Sequence, residues 1–162
     1  MSDESSIKAS GSARDWQAEH KRTYLESGGR EGHIIDMSSV GGLAFTTTLL
    51  LKYVGRKTGK TMISPLIYGN FGGEVVIVAS KGGAPAHPGW YLNIRDAGGA
   101  DFQIGGQAFR GAFREAAGEE RAKVWAFMAG LYPPYDEYQA KTDRHIPVVM
   151  LAPGAEIDIF HE

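Results

Sequence analysis

Residues 44–80 read AFTTTLLLKYVGRKTGKTMISPLIYGNFGGEVVIVAS, and the fold turns on this stretch. Three runs rich in β-branched, leucine and aromatic residues stand at 44–54, 61–68 and 74–80. Two glycine-bounded segments, Gly55-Arg56-Lys57-Thr58-Gly59 and Gly69-Asn70-Phe71-Gly72-Gly73, separate them. Runs of this kind between glycine clusters read as strands joined by tight turns. Connections this short join antiparallel neighbours, because a parallel crossover needs a dozen residues or more. EVVIVAS, apolar without alternation, reads as a buried strand.

Upstream, residues 13–27 predict a helix. Ser12 can cap it, Trp16, His20, Tyr24 and Leu25 fall near one stripe, and Gly28-Gly29 stops it. Residues 1–12, polar and serine-rich, read as a disordered leader, and 32–42 as a loop. Downstream, 81–86 is a Gly/Pro loop and 87–96 a short helix with Pro88 near its first turn. Residues 100–104 and 107–116 form a hairpin around Gly105-Gly106. A helix over 118–131 places Val124, Phe127, Met128 and Leu131 at helical spacing. A short Tyr-rich helix over 135–141 follows Pro133-Pro134, and 146–152 is a last buried strand. About six mostly antiparallel strands with three to four helices make an α+β fold. The expectation is a small barrel with helices packed on it, one domain over 13–162.

The composition narrows the function. The 162 residues carry a net charge of -2, which weighs against nucleic acid as a partner. There is no cysteine, so disulfides, thiolate metal sites and cysteine nucleophiles are excluded, and a reducing cytoplasm is the expected location. The five histidines show no ligand spacing, and no metal site is expected. Gly55 to Thr61 is one residue short of a Walker loop and runs into a strand where that loop needs a helix. No dinucleotide fingerprint and no serine-hydrolase elbow occurs.

Four features survive. Between Asp36 and Glu74 there is no acidic residue, while Lys52, Arg56, Lys57 and Lys60 all lie inside. That makes a local positive field, and a Gly-bounded turn can aim backbone N–H groups at one anion. A solvated hairpin tip has the same composition. At the end of the buried strand, Ala79-Ser80-Lys81-Gly82-Gly83 lets a flat ligand approach the backbone, though glycine also simply ends strands. Trp90 and Asn93 can wall and read a ring, and Trp90 equally suits a core. Tyr132, Tyr135 and Tyr138, three apart, can share a helical face and supply phenol protons, or pack.

In this order the strings resemble the deazaflavin-dependent nitroreductase family, a branch of the flavin/deazaflavin oxidoreductases. The carriers are Gly55 to Gly59, Ser64-Pro65-Leu66, Val78 to Gly83, Pro85-x-His87-Pro88-x-Trp90-Tyr91-x-Asn93, Tyr132-Pro133-x-Tyr135-x-x-Tyr138 and Thr142-Asp143-Arg144-x-Ile146-Pro147-Val148-Val149. The resemblance implies a split β-barrel of the FMN-binding type. It also implies coenzyme F420, a deazaflavin with an anionic oligoglutamate tail, as hydride donor to quinones, nitro compounds or activated alkenes. Arg56, Lys57 and Thr58 would hold the tail, with Lys52 and Lys60 able to add charge and Val54 a further cofactor-binding residue. Ser64, Pro65, Leu66, Ala79, Ser80, Lys81, Gly82, Gly83, Trp90 and Asn93 would frame the ring. Tyr132, Tyr135 and Tyr138 would close the substrate side, and Ser80 with one of these tyrosines would polarise or protonate the acceptor. The family often has three threonines before the basic turn, where this chain has Lys52-Tyr53-Val54. It usually has a basic residue where this chain has Met62. The alternatives are an FMN-binding reductase of the same fold and a non-catalytic deazaflavin carrier. A monomer is expected, with weak membrane-surface contact through the helix at Trp16 as a further expectation.

Overall fold

The computed structural model describes residues 13–161. The first expected hairpin forms: β2 (Thr46–Val54) and β3 (Thr61–Ile67) pair antiparallel from Thr48↔Ile67 to Val54↔Thr61. Before them come helix α1 (Ala13–Glu26) and a two-residue strand β1 (Ile34–Ile35). After them come β4 (Gly69–Phe71), β5 (Glu74–Val78), helix α2 (Gly89–Ala97), β6 (Gly99–Ile104) and β7 (Gln107–Glu115). Helices α3 (Gly118–Leu131) and α4 (Pro134–Ala140) and strand β8 (Val148–Ile157) complete the order. The expected leader, 1–12, lies outside the described residues.

The path of the sheet is β1-β2-β6-β7-β8-β5-β4, with β3 on the other side of β2. Every pairing is antiparallel. β3 and β4 lie at opposite ends of the sheet, yet Tyr68 alone separates them in the chain. The sheet must therefore curl until its two edges nearly meet. This is the half-barrel expected of a split barrel, with four α-helices packed on it.

Three runs depart from expectation. The loop over 32–42 contains β1, which pairs Ile34 with Thr47, and a single 3-10 turn at Ser38–Val40; two residues are too few to show a strand period. The turn over 69–73 begins as β4, which extends the ladder onto β5. β8 runs five residues past Ala152 through Pro153. Proline normally ends a strand because it lacks the N–H. Here Pro153 faces Gly111, and the register shifts between Phe109 and Gly111, so the irregularity absorbs it.

Period-two alternation sorts the core. Val76 and Val78 of β5, with Val148 and Met150 of β8, pack on one face beneath Val124 and Met128 of α3. Val75, Ile77, Val149 and Leu151 pack on the other, with Leu49, Leu51, Phe102 and Ile94 of α2. Both strands are buried on both faces, as the unbroken apolar run required. Each such side chain contributes about 1.5–3 kcal/mol. Leu50 points away from its neighbours into a third cluster with Tyr24, Leu25 and Phe160. The stripe of α1 is thus occupied by protein: His20 and Tyr24 are buried and Trp16 packs against the first cluster. That stripe had been the expected membrane contact. No described helix is long and apolar enough to cross a membrane.

Candidate functional site

A cavity of about 640 Å³ opens between α1, β3, the end of β5, α2 and the α3–α4 joint. That volume falls in the range of small-molecule sites. Ten of the expected residues line it: Ser64, Pro65 and Leu66 on one wall, Ser80, Lys81, Gly82 and Trp90 on a second, Tyr132, Tyr135 and Tyr138 on a third.

The wall at Ser64 follows from the β2–β3 register. Ser64 sits opposite Leu51, and its Oγ lies 3.0 Å from the Tyr53 phenol oxygen. The second wall is a left-handed turn. Lys81, Gly82 and Gly83 have φ of 48°, 64° and 83°. Nothing stands within 4 Å of where a Cβ on Gly82 would point, so its backbone is open to a flat ligand. Gly83 is different: a Cβ there would meet the Tyr138 carbonyl at 2.7 Å. Gly83 lets α4 approach and is buried beneath it.

The tyrosines do not share one helix face. Tyr132 caps the C-terminus of α3, while Tyr135 and Tyr138 belong to α4. The break at Pro133 brings the three rings together, with centroids 4.9 to 6.4 Å apart, and the Tyr132 and Tyr138 oxygens are 3.4 Å apart. Burial, then the hydrogen bond with Tyr138, raises the Tyr132 phenol. Burial likewise raises that of Tyr135, which is 3% exposed. Both therefore keep their protons at neutral pH.

The basic turn lies outside the cavity, at the far end of the same hairpin. Lys60 and Ser64 are about 13 Å apart along β3 at ~3.3 Å per residue. Its amides are largely committed internally. Gly55 N–H donates to the Lys60 carbonyl, Gly59 N–H to that of Gly55, and Lys60 N–H to Thr58 Oγ1. The turn is thus bonded largely to itself. Arg56 donates through its N–H and Nη1 to Asn93 Oδ1, at 3.0 and 2.9 Å, and its Nε lies 3.8 Å from Asp96. Asn93 therefore holds the turn against α2, and it is absent from the cavity lining. Val54 is 57% exposed and Ala79 fully buried, and neither lines the cavity. Beside the partly engaged Arg56, the exposed Lys57, Thr58 and Lys60 stand open to an anion.

The sequence reading missed two contributions. The floor of the cavity comes from Trp16 and His20 of α1 and from Ile35, Met37 and Thr48. The stripe on α1 was legible, but its neighbour was not. His20 Nε2 lies 2.8 Å from the Gly32 carbonyl and 3.2 Å from Thr48 Oγ1, and burial lowers its pKa. The second is Arg144, whose guanidinium donates to the Ala79, Ser80 and Ala84 carbonyls. A lone arginine between a short helix and a buried strand was the available signal.

The profile of the F420H(2)-dependent quinone reductase family matches residues 16–153. A putative F420H(2)-dependent quinone reductase of Mycobacterium tuberculosis is 36% identical over 106 residues, 65% of this chain and 89% of that protein. A second F420H(2)-dependent quinone reductase of that organism is 32% identical over 135 residues, 82% and 86% of the two chains. Among solved structures, an F420-H2 dependent reductase is 41% identical with a TM-score of 0.59, covering 64% of this chain and 92% of its own. Another, described as a domain-swapped dimer, is 37% identical with a TM-score of 0.62, covering 86% and 99%. The curled antiparallel sheet and a match over residues 16–153 agree: this chain belongs to the F420H(2)-dependent quinone reductase family.

Proposed function

We propose that this protein reduces a quinone with hydride from reduced coenzyme F420, with ring and acceptor meeting in the cavity between Ser80 and Tyr132. Family membership makes the protein an oxidoreductase of the F420-dependent class. The observation that carries the placement is that one cavity is walled by both residue sets: Ser64-Pro65-Leu66 with Ser80 to Gly82 and Trp90 on one side, three tyrosines on the other.

The residues fit the coenzyme. Leu66 and Trp90 offer apolar surface to a ring, and Gly82 leaves the backbone approachable. Lys57, Thr58 and Lys60 stand along the hairpin where an anionic tail extending from the cavity would pass. When bound, the reduced coenzyme supplies the hydride. The acceptor gains that hydride and needs one proton for the developing oxyanion. Tyr132, protonated and hydrogen-bonded to Tyr138, donates from one side, and the Ser80 hydroxyl stabilises the oxygen from the other. Ile35 and Met37 add apolar surface to the cavity floor.

Reduction of 1,4-benzoquinone by reduced F420 is the test. Binding of F420 without turnover identifies a carrier, and preference for FMN identifies the other flavin reading. The description of one relative as a domain-swapped dimer weighs against the monomer expected from sequence; sedimentation velocity separates the two.

A further inference from the structure

Lys81 is the only described non-glycine residue with positive φ, and Gly82 and Gly83 continue the left-handed path. Such backbone is unfavourable for a residue with a Cβ and persists only where the surroundings over-determine it. Arg144 supplies that constraint. Its Nη2 donates to the Ser80 carbonyl at 2.6 Å, Nη1 to that of Ala79 at 3.2 Å, and Nε to that of Ala84 at 2.8 Å. One planar guanidinium thus grips both ends of the turn, which a lysine ammonium cannot do.

Arg144 is itself anchored to α4. Gln139 Nε2 donates to the Arg144 carbonyl at 2.8 Å, and the Arg144 N–H donates to Thr142 Oγ1 at 3.2 Å. α4 carries Tyr135 and Tyr138. A single residue therefore ties the turn that presents Ser80, through its side chain, to the helix that presents Tyr135 and Tyr138, through its backbone.

Nη1 also lies 3.1 Å from Nδ1 of His87. A guanidinium has no acceptor, so this bond needs an unprotonated Nδ1. The groups around His87 are Arg144 ahead of β8, Arg95 and Tyr91 on α2, and Glu115 at the end of β7, whose carboxylate accepts from the Tyr91 phenol. Partial burial and the two cations outweigh the carboxylate and lower the imidazole pKa.

We propose that Arg144 is a positioning residue for hydride transfer, and that His87 makes the positioning depend on proton concentration. With neutral imidazole the Ser80 turn is held against α4; with imidazolium the Nη1 bond is lost and the turn loosens. The proposal rests on the reading of the cavity given above.

The first test needs no coenzyme. NMR follows the His87 imidazole and the Ser80 and Ala84 amides from pH 8 to pH 5. They are expected to move with one midpoint. In His87→Gln, whose amide oxygen can accept from Nη1 without titrating, the amide shifts are expected to vanish. Amides that ignore His87, or still titrate in H87Q, overturn the switch. The second test is Arg144→Lys, with folding checked by thermal melting. The expected result is a fall of about tenfold or more in kcat for benzoquinone, with the Kd for F420 within about threefold. Guanidinium ion should partly restore Arg144→Gly. Wild-type kcat in R144K, or kcat and affinity lost in parallel, overturns the positioning role. If the wild-type chain turns over no quinone, the functional reading fails, while the NMR result still judges the clamp.

Discussion

The phenol oxygens of Tyr132 and Tyr138 lie 3.4 Å apart although the two residues belong to separate helices. Pro133 breaks the helical path between them, and the break gathers Tyr132, Tyr135 and Tyr138, three apart in sequence, into a cluster against one cavity. Burial, then the hydrogen bond with Tyr138, raises the Tyr132 phenol, which therefore keeps its proton at neutral pH.

Tyr132→Phe removes the donor while keeping the ring. Its kcat for quinone should fall about tenfold or more, with F420 affinity little changed. Tyr138→Phe, acting through Tyr132, should cost less. Steady-state kinetics beside fluorescence titration separates the two parameters. Equal kcat in both variants and the wild type would remove the tyrosines from the chemistry.

The basic turn should behave as a screened electrostatic site. Lys57→Ala and Lys60→Ala should each weaken F420 binding by about two- to fivefold, the effect shrinking in high salt. Asp96→Asn should act in the opposite direction, because it removes the carboxylate that competes for Arg56. A series of tail lengths titrated at two salt concentrations checks both signs.

Much of this was legible. EVVIVAS announced a strand buried on both faces, and the glycine-bounded turns required antiparallel order. Ser80 and Trp90 reached one cavity because each lies beside the end of a readable element, and the tyrosines joined them because the break at Pro133 clusters their rings. Asn93 was misplaced because nothing in the sequence says that Arg56 of a distant hairpin will occupy its Oδ1. Asp96 shows the same limit: the stretch without acid in the chain meets an acid in space. Gly83 looked like Gly82, and only the height of α4 above it distinguishes them.

That distinction is measurable as stability. Gly83→Ala forces a Cβ onto the Tyr138 carbonyl at a φ of 83°, and should cost about 2–3 kcal/mol or more. Gly82→Ala meets no neighbour and carries only the left-handed strain, about 1 kcal/mol. Urea denaturation of both variants gives the comparison.

Acid should destabilise the protein through His20. Its folded pKa is lowered by burial, so the unfolded chain binds the proton more readily. Stability from this group is complete above the ordinary value near 6.5 and is lost as pH falls from there through the lowered pKa. Melting temperature should therefore drop between pH 7 and pH 5, by about 3 °C for each kcal/mol lost at this chain length. The slope should be shallower in His20→Gln.

Anaerobic oxidation of reduced F420 by 1,4-benzoquinone, followed by absorbance against enzyme concentration, tests the proposed reaction itself. Quinone-dependent oxidation should be proportional to enzyme, and at least tenfold slower in Tyr132→Phe. Oxidation no faster than without enzyme, or binding of FMN in preference to F420, would contradict it.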